Sequence, residues 1–480
     1  MNRLAMKEHP DLFLACLCVG LFFVFLDTAI VNVALTSIQN DLGASLTKLQ
    51  WVFDSYALTY ACLLLTAGTL GDRLGKKHVF AAGLIGFTVT SVLCALAQSI
   101  EVLIVGRILQ GISAAAMIPV SLALISELYE NPRERSRAIG IWGGASAIAL
   151  AARPAVGGFF IDHFGWQSIF WINVPIGVLT LLVLTLFRAE GSAMRRRKID
   201  VVGQLLFIAA VFELTYALIE GNAAGWSSVT IIGALAGFVL FFSLFLWREK
   251  RFDDPMLPLS LFGSPIFTTA CLVNFLSLFG VFSALFLLPI YFQQVNHLTA
   301  TETGLHMMAL TVAIMIATLV APGVAQKMGN RSTIMAGSLM AGIGFLELTV
   351  LQAGTAFGSY WWALVLVGIG VSLVGPPAAI VLLGSVPPQL VGTASGVANT
   401  FRQVGVVFSV ALAGALIQFH MKSPLVSAMD FAASQGFLRG MQTSLIIAAL
   451  GCFLGAFCAY RFLPRPVKKE TPARAMLEKP

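Results

Sequence analysis

The chain has 480 residues, of which 58% are apolar and only 11% are Asp, Glu, Lys or Arg. Soluble domains carry roughly 25% charged residues, so this composition excludes an ordinary soluble enzyme, and the apolar excess excludes a disordered chain. In so apolar a chain the net charge of +7 points to basic loops on one side of a membrane, not to nucleic acid.

Apolar runs of about 20 residues, enough to cross a hydrocarbon core of roughly 30 Å as helix, recur along the whole chain. We read fourteen spans: 11–35, 50–71, 78–98, 101–126, 137–160, 167–187, 199–219, 227–247, 265–292, 303–324, 332–352, 360–383, 391–418 and 437–462. The alternating segments of a transmembrane barrel do not occur. The fold class is therefore all-α integral membrane. The first run has a basic start like a signal peptide. It continues past Asp27 through Ile30–Leu35 without a cleavage site, so it reads as a span.

Lysine and arginine set the expected orientation. With both termini inside, 24 of the 30 basic residues fall on the inside and 3 (Lys48, Lys422, Arg439) on the outside; Arg107, Arg153 and Arg402 lie within spans. The asymmetry places both termini on the cytoplasmic side of the membrane.

Gly68–Lys77 closes span 2 and Pro322–Arg331 closes span 10, with Gly75 aligned to Gly329 and Arg73 to Lys327. Both loops face inward, so this is a parallel repeat: two six-helix bundles (1–190 and 261–464), a linker with two inserted helices (191–260) and a tail (465–480). Paired bundles around a cavity are a plan of secondary transporters.

Several motifs resemble the major facilitator superfamily, and within it the fourteen-helix drug:proton antiporter family. Leu26-Asp-Thr-Ala-Ile-Val-Asn-Val-Ala-Leu35 is similar to the family's first-helix motif, Gly68–Lys77 to its loop between helices 2 and 3, and Arg107-Ile-Leu-Gln-Gly111 to its fourth-helix motif. Leu218–Trp226 and Gly396–Gly405 are similar to the outer end of helix 7 and to helix 13. The resemblance runs from about Phe25 to Phe462. One departure stands out: the helix-5 motif reads Arg153-Pro-Ala-Val-Gly-Gly158, with Arg153 where the family has glycine ahead of Pro154, Gly157 and Gly158. The resemblance implies a proton-coupled exporter of lipophilic, often cationic drugs that works by alternating access. The alternative is an exporter of an anionic metabolite such as a siderophore. A non-transporting receptor is a remote third reading.

Ionisable groups within spans are candidate functional residues. At 1.5 Å per residue, Asp27, Arg107 and Arg153 share one level in the outer half of the first bundle. Asp27, Arg107, Glu213 and Glu347 are candidates for proton coupling. Asp27, Arg107, Arg153, Asn274, His306 and Arg402 are candidates for the substrate cavity. Arg153 has three open readings: a pair with Asp27, part of an anion site, or a side chain that snorkels outward. Gly68, Asp72, Arg73, Gly75, Arg135 and Arg137 are the expected conformational latch. No phosphate-binding loop, metal cluster or nucleophile–base set appears, so neither an enzyme nor a cofactor is expected. Cys16, Cys18, Cys62, Cys94, Cys271, Cys452 and Cys458 read as small core residues. The expected partners are a small-molecule substrate, protons and the bilayer, for a monomer, with a periplasmic adaptor left open.

Overall fold

The structure, a computed structural model, describes Met6 and residues 8–187, 200–252, 255–387, 390–421 and 431–464. The basic run Arg195–Lys198, the tail 465–480, and Arg3, Lys7, Arg188 and Lys422 lie outside these residues.

Long helices follow one another: α1 (Pro10–Leu42), α2 (Leu46–Leu74), α3 (Lys76–Ala95), α4 (Ile100–Leu128) and α5 (Pro132–Phe164), then α6 (Ser168–Thr185). They continue as α7 (Val201–Ala224), α8 (Val229–Arg251), α9 (Pro265–Ile290), α10 (Ala300–Met328) and α11 (Asn330–Glu347). The last are α12 (Trp361–Gly384), α13 (Val391–His420) and α14 (Phe431–Phe462). Thirteen of these segments are long and apolar enough to span a bilayer among the described residues; α2, 29 residues long, packs between α4 and α13. The helices outrun the apolar stretches. The first extends to Leu42 and not 35, and the fifth starts at Pro132 and not 137, because capped polar turns continue them beyond the hydrocarbon.

The caps are local and legible. Ser45, Ser99, Asn131, Asp200, Ser228 and Ser264 each accept a backbone N–H of the first turn that follows, which satisfies donors that lipid could not. Thr299 and Glu302 form a reciprocal capping box at the start of α10. The internal repeat is visible in backbone geometry. Gly75 has φ 89° and Gly329 has φ 84°, and each donates its N–H four residues back, to Gly71 O at 3.1 Å and Ala325 O at 2.9 Å. Only glycine takes this backbone without strain, so both tight inter-helix turns need it.

Helices α1–α6 form one bundle, in which α2 and α3 pack on α4 and α1 packs on α5. Helices α9–α14 form the other. The bundles meet along two seams, α5 against α10 and α2 against α13. The inserted helices α7 and α8 pair with each other, and α7 covers the α2/α13 seam. Both ends of the described chain lie on one face, here the termini face; the opposite one is the far face.

The two faces differ. At the far face, Asp162 of α5 accepts Ala300 N at 3.1 Å and Thr301 N at 2.7 Å from the start of α10. Gly158 faces the backbone of Ala300 and Thr301, and Gly304 faces the carbonyl of Pro154, so each glycine permits close helix approach. Gln50 donates to Val410 O and Ala411 O, both at 3.2 Å, and Gln418 donates to Gln50 at 3.1 Å. A π-helical turn, Tyr291–Val295, ends α9, and from it Gln293 reaches Val33 O at 2.9 Å. Towards the termini face, Gly140, Gly143 and Gly144 of α5 meet nothing on the Cβ side, as do Gly323, Gly375 and Gly392 of α10, α12 and α13. The halves are joined at the far face and parted towards the termini face.

Asp162→Ala removes a cap that spans the two bundles. The loss is about 1–2 kcal/mol, so the far-face-open population should rise about 5- to 30-fold. Spin-label distances between the far ends of α5 and α10 in the purified protein check this; an unchanged distance distribution refutes it.

Candidate functional site

The site starts on α1. Asp27 is fully buried and forms an ion pair with Arg107 of α4, itself fully buried. The same Nη1 also donates to Gln110 Oε1 at 2.9 Å, and Arg107 Nε reaches Val52 O at 3.3 Å. Gln110 Nε2 donates to Ser91 Oγ of α3 at 2.9 Å. Asn173 of α6 closes the loop, donating at 3.2 Å to both Ser91 Oγ and Asp27 Oδ1. Five side chains thus form a closed polar ring across four helices. Tyr56 covers it, with the guanidinium 4.3 Å from the ring centroid.

Arg153 does not join this ring. Its Nη1 points at Phe25 O, 3.5 Å away, and its Nη2 has no partner. The side chain is 4% exposed. The expected pair with Asp27 is therefore not formed, because Arg107 and Asn173 occupy that carboxylate. Nor does Arg153 snorkel outward, since it is sealed between α5 and α1. Pro154, Gly157 and Gly158 line the approach of α5 to its neighbours: Gly157 faces Ile30 of α1, and Pro154 and Gly158 face α10.

The other expected residues scatter. Arg402 of α13 is exposed, with Nη1 3.4 Å from Asn399 Oδ1. Asn274 donates to Ala270 O of its own helix at 3.0 Å. His306 stacks on Phe357 at 4.4 Å and bonds Tyr360 at 2.9 Å, in an aromatic cluster near the far face and away from the ring. Glu213 lies against Gly237 of α8, within the inserted hairpin. Glu347 ends α11. The structure brings neither acid to Asp27.

The expected latch has a different partner. Asp72 pairs with Lys76 at 3.3 Å, and Lys76 also pairs with Glu127 of α4. Arg73, Arg135 and Arg137 form no ion pair with Asp72 among the described residues. Gly75 supplies the turn; the surroundings of Gly68 are not described. Tyr129, just past α4, donates to Asp11 at 3.1 Å. Burial, then that carboxylate, push its hydroxyl up to about 12, so it remains a donor at neutral pH.

Sequence reasoning missed Asp54 on α2. It is fully buried, and neither carboxylate oxygen has a partner. The signal was present, as an acid inside an apolar run. Gln110 was also within reach, three residues after Arg107 on one helix face. Ser91 and Asn173 carried no such mark.

Two helical bundles around a cleft that opens on one face, with buried charge inside one of them, define a secondary transporter. The Major Facilitator Superfamily profile matches residues 17–410, and the chain belongs to that superfamily. It is not an enzyme but a transporter of small molecules. Among its relatives are a methylenomycin A resistance protein of Streptomyces coelicolor, 33% identical over 95% of this chain and 93% of its own. Another is the multidrug resistance protein Stp of Mycobacterium tuberculosis, 35% identical over 89% and 80%. Solved structures share the fold: a bacterial homologue of the lysosomal transporter Spinster, inward-facing, gives a TM-score of 0.66 at 16% identity over 95% of this chain and 98% of that one. A D-xylose–proton symporter gives 0.68 at 15% over 95% and 98%.

Removing one partner of a buried ion pair strands the other. Asp27→Asn or Arg107→Gln should each cost about 3–5 kcal/mol of stability, and the double variant should cost less than the sum. Thermal unfolding of the four proteins in detergent forms the cycle; strict additivity would show that the pair is not coupled.

Proposed function

We propose that this protein is a proton-coupled exporter of lipophilic small molecules, working by alternating access as a monomer in a bacterial inner membrane. The termini face is the cytoplasmic one, as the lysine and arginine distribution supports. Bundles 1–190 and 261–464 rock against each other around the insertion 191–260. The names of the relatives support the cargo class, since they are resistance and efflux proteins. The far face is then periplasmic, and any adaptor protein would dock there.

One observation carries the coupling. Asp54 is a buried carboxylate with no partner, whereas Asp27 is committed to Arg107 and Asn173. A buried charge without a counterion is neutralised sooner than tolerated, so Asp54 meets the condition for taking up a proton. In this scheme Asp54 loads from the periplasm, crosses buried, and gives up the proton as cargo enters from the cytoplasm. Each state change needs only a differential interaction with proton or cargo. Asp27 and Arg107 hold the bundle that swings.

Proteoliposomes separate coupling from transport. With a pH gradient and no ATP, wild type should concentrate a lipophilic drug. Asp54→Asn should retain drug–drug exchange and lose gradient-driven accumulation. If the variant still concentrates drug, Asp54 is not the carrier; if wild type ignores the gradient, the coupling itself is wrong.

A further inference from the structure

The basic residues expected outside are Lys48, Lys422 and Arg439. Lys48 pairs with Glu101 at 3.2 Å, and Lys422 lies outside the described residues. Arg439 of α14 is exposed and takes part in no ion pair among the described residues. It lines a cavity of about 370 Å³ at the far face together with Gln352, Ala353, Gln435, Leu438 and Gln442. No acid lines this cavity, and the three glutamine amides make no side-chain hydrogen bond among the described residues. Gln352 is held by its main chain instead: its carbonyl accepts Tyr291 Oη at 2.7 Å, and its N–H donates to Thr355 Oγ1 at 2.9 Å. The cavity thus presents one guanidinium and three amide NH2 groups with no negative charge to meet them.

Depth decides what meets them. Gln435, Arg439 and Gln442 share one face of α14, and that face continues inward as the exposed Ile446, Leu450, Leu454 and Phe457. It is polar in its outer turns and apolar from Ile446 on. Helix α11, packed against α14, changes at the same end: Leu339, Ile343 and Leu346 are exposed, and beyond Val350 the chain turns polar at Gln352. Exposed Trp361 and Trp362 open α12 a few residues later, and tryptophan marks the headgroup level of a bilayer. The cavity therefore opens at the height of the far-leaflet headgroups, above two apolar stripes that face lipid.

We infer that this cavity binds an anionic phospholipid of the far leaflet, with the phosphodiester on Arg439, the glutamine amides on headgroup oxygens and the acyl chains along the exposed stripes of α11 and α14. A guanidinium fork matches phosphate oxygens, and amide NH2 groups donate to ester and hydroxyl oxygens. A glycerol headgroup adds only hydroxyls, which the glutamines can serve. A choline headgroup adds a second cation, and the cavity holds no acid to receive it. Both walls belong to the second bundle, so a bound lipid would brace α14 against the turn between α11 and α12 without bridging the seams.

Phosphatidylglycerol and phosphatidylcholine carrying the same photoactivatable acyl chain test charge and place together. Each is added in trace amount to the full chain in phosphatidylcholine nanodiscs and irradiated, and the cross-linked peptides are mapped. In wild type, segments 343–350 and 446–454 should take up about fivefold more phosphatidylglycerol than phosphatidylcholine. Arg439→Gln should bring the two lipids level there, whereas Arg439→Lys, which keeps the charge, should retain a preference. Arg251→Gln, at the termini face, should leave the enrichment as it is. Equal labelling by the two lipids in wild type, enrichment confined to other segments, or enrichment that survives Arg439→Gln overturns the site. A second arm adds inorganic phosphate or glycerol phosphate before irradiation. Enrichment that persists supports a lipid; enrichment abolished by either soluble ion assigns the cavity to a free oxyanion and overturns the lipid reading.

Discussion

A charged side chain placed in hydrocarbon must bring its partner with it, because no water is there to replace one. Asp27 and Arg107 obey this rule, and much of the first bundle follows from it. The carboxylate sits on α1 and the guanidinium on α4. Ser91, Gln110 and Asn173 from α3, α4 and α6 join them in the ring, while Arg107 Nη2 and Asn173 Oδ1 stay without a partner. The bonds of the ring tie the four helices together and so set how they are placed relative to one another. Outside the ring, both carboxylate oxygens of Asp54 and Nη2 of Arg153 have no partner.

The second bundle is built differently. Among the described residues no ion pair lies within α9–α14, and its interior is apolar, with Phe267, Phe286, Phe345 and Phe437 fully buried. Close helix contacts take the place of charge. Gly337 and Gly370 face each other's helices, as Gly344 faces Val367, the small-residue packing usual where lipid gives no hydrophobic drive. The repeat that relates the halves survives in the turns at Gly75 and Gly329, while the interiors have diverged. One half holds fixed charge; the other presents Arg402 to the cleft.

The helix count, the parallel repeat and the pairing candidates Asp27 and Arg107 were legible because each leaves a periodic or depth signal. Run length gives spans, paired glycine turns give the repeat, and equal depth brings α1 and α4 residues together. Depth alone misplaced Arg153, since it fixes height in the membrane and not direction around the helix axis. The same ambiguity hid the aromatic surroundings of His306 and the outward position of Glu213. Ser91 and Asn173 were invisible for another reason: small polar residues are common in spans, and only the three-dimensional neighbourhood shows which of them completes a ring.

The inserted hairpin makes the two seams unequal. Helix α7 is bonded to α2 at both ends, through Gln204 to Cys62 O at 2.7 Å and through Glu220 to Trp51 at 2.9 Å. It reaches α13 near the far face, where Asn222 donates to Ala415 O at 2.6 Å. It therefore packs on both bundles along that seam, like the spine of a book held by both covers. The α2/α13 side is roofed by that spine, while the α5/α10 side has no such cover. A compound dissolved in the bilayer would meet a wall on one flank and an open fore-edge on the other, so sideways entry from lipid is one-sided by construction.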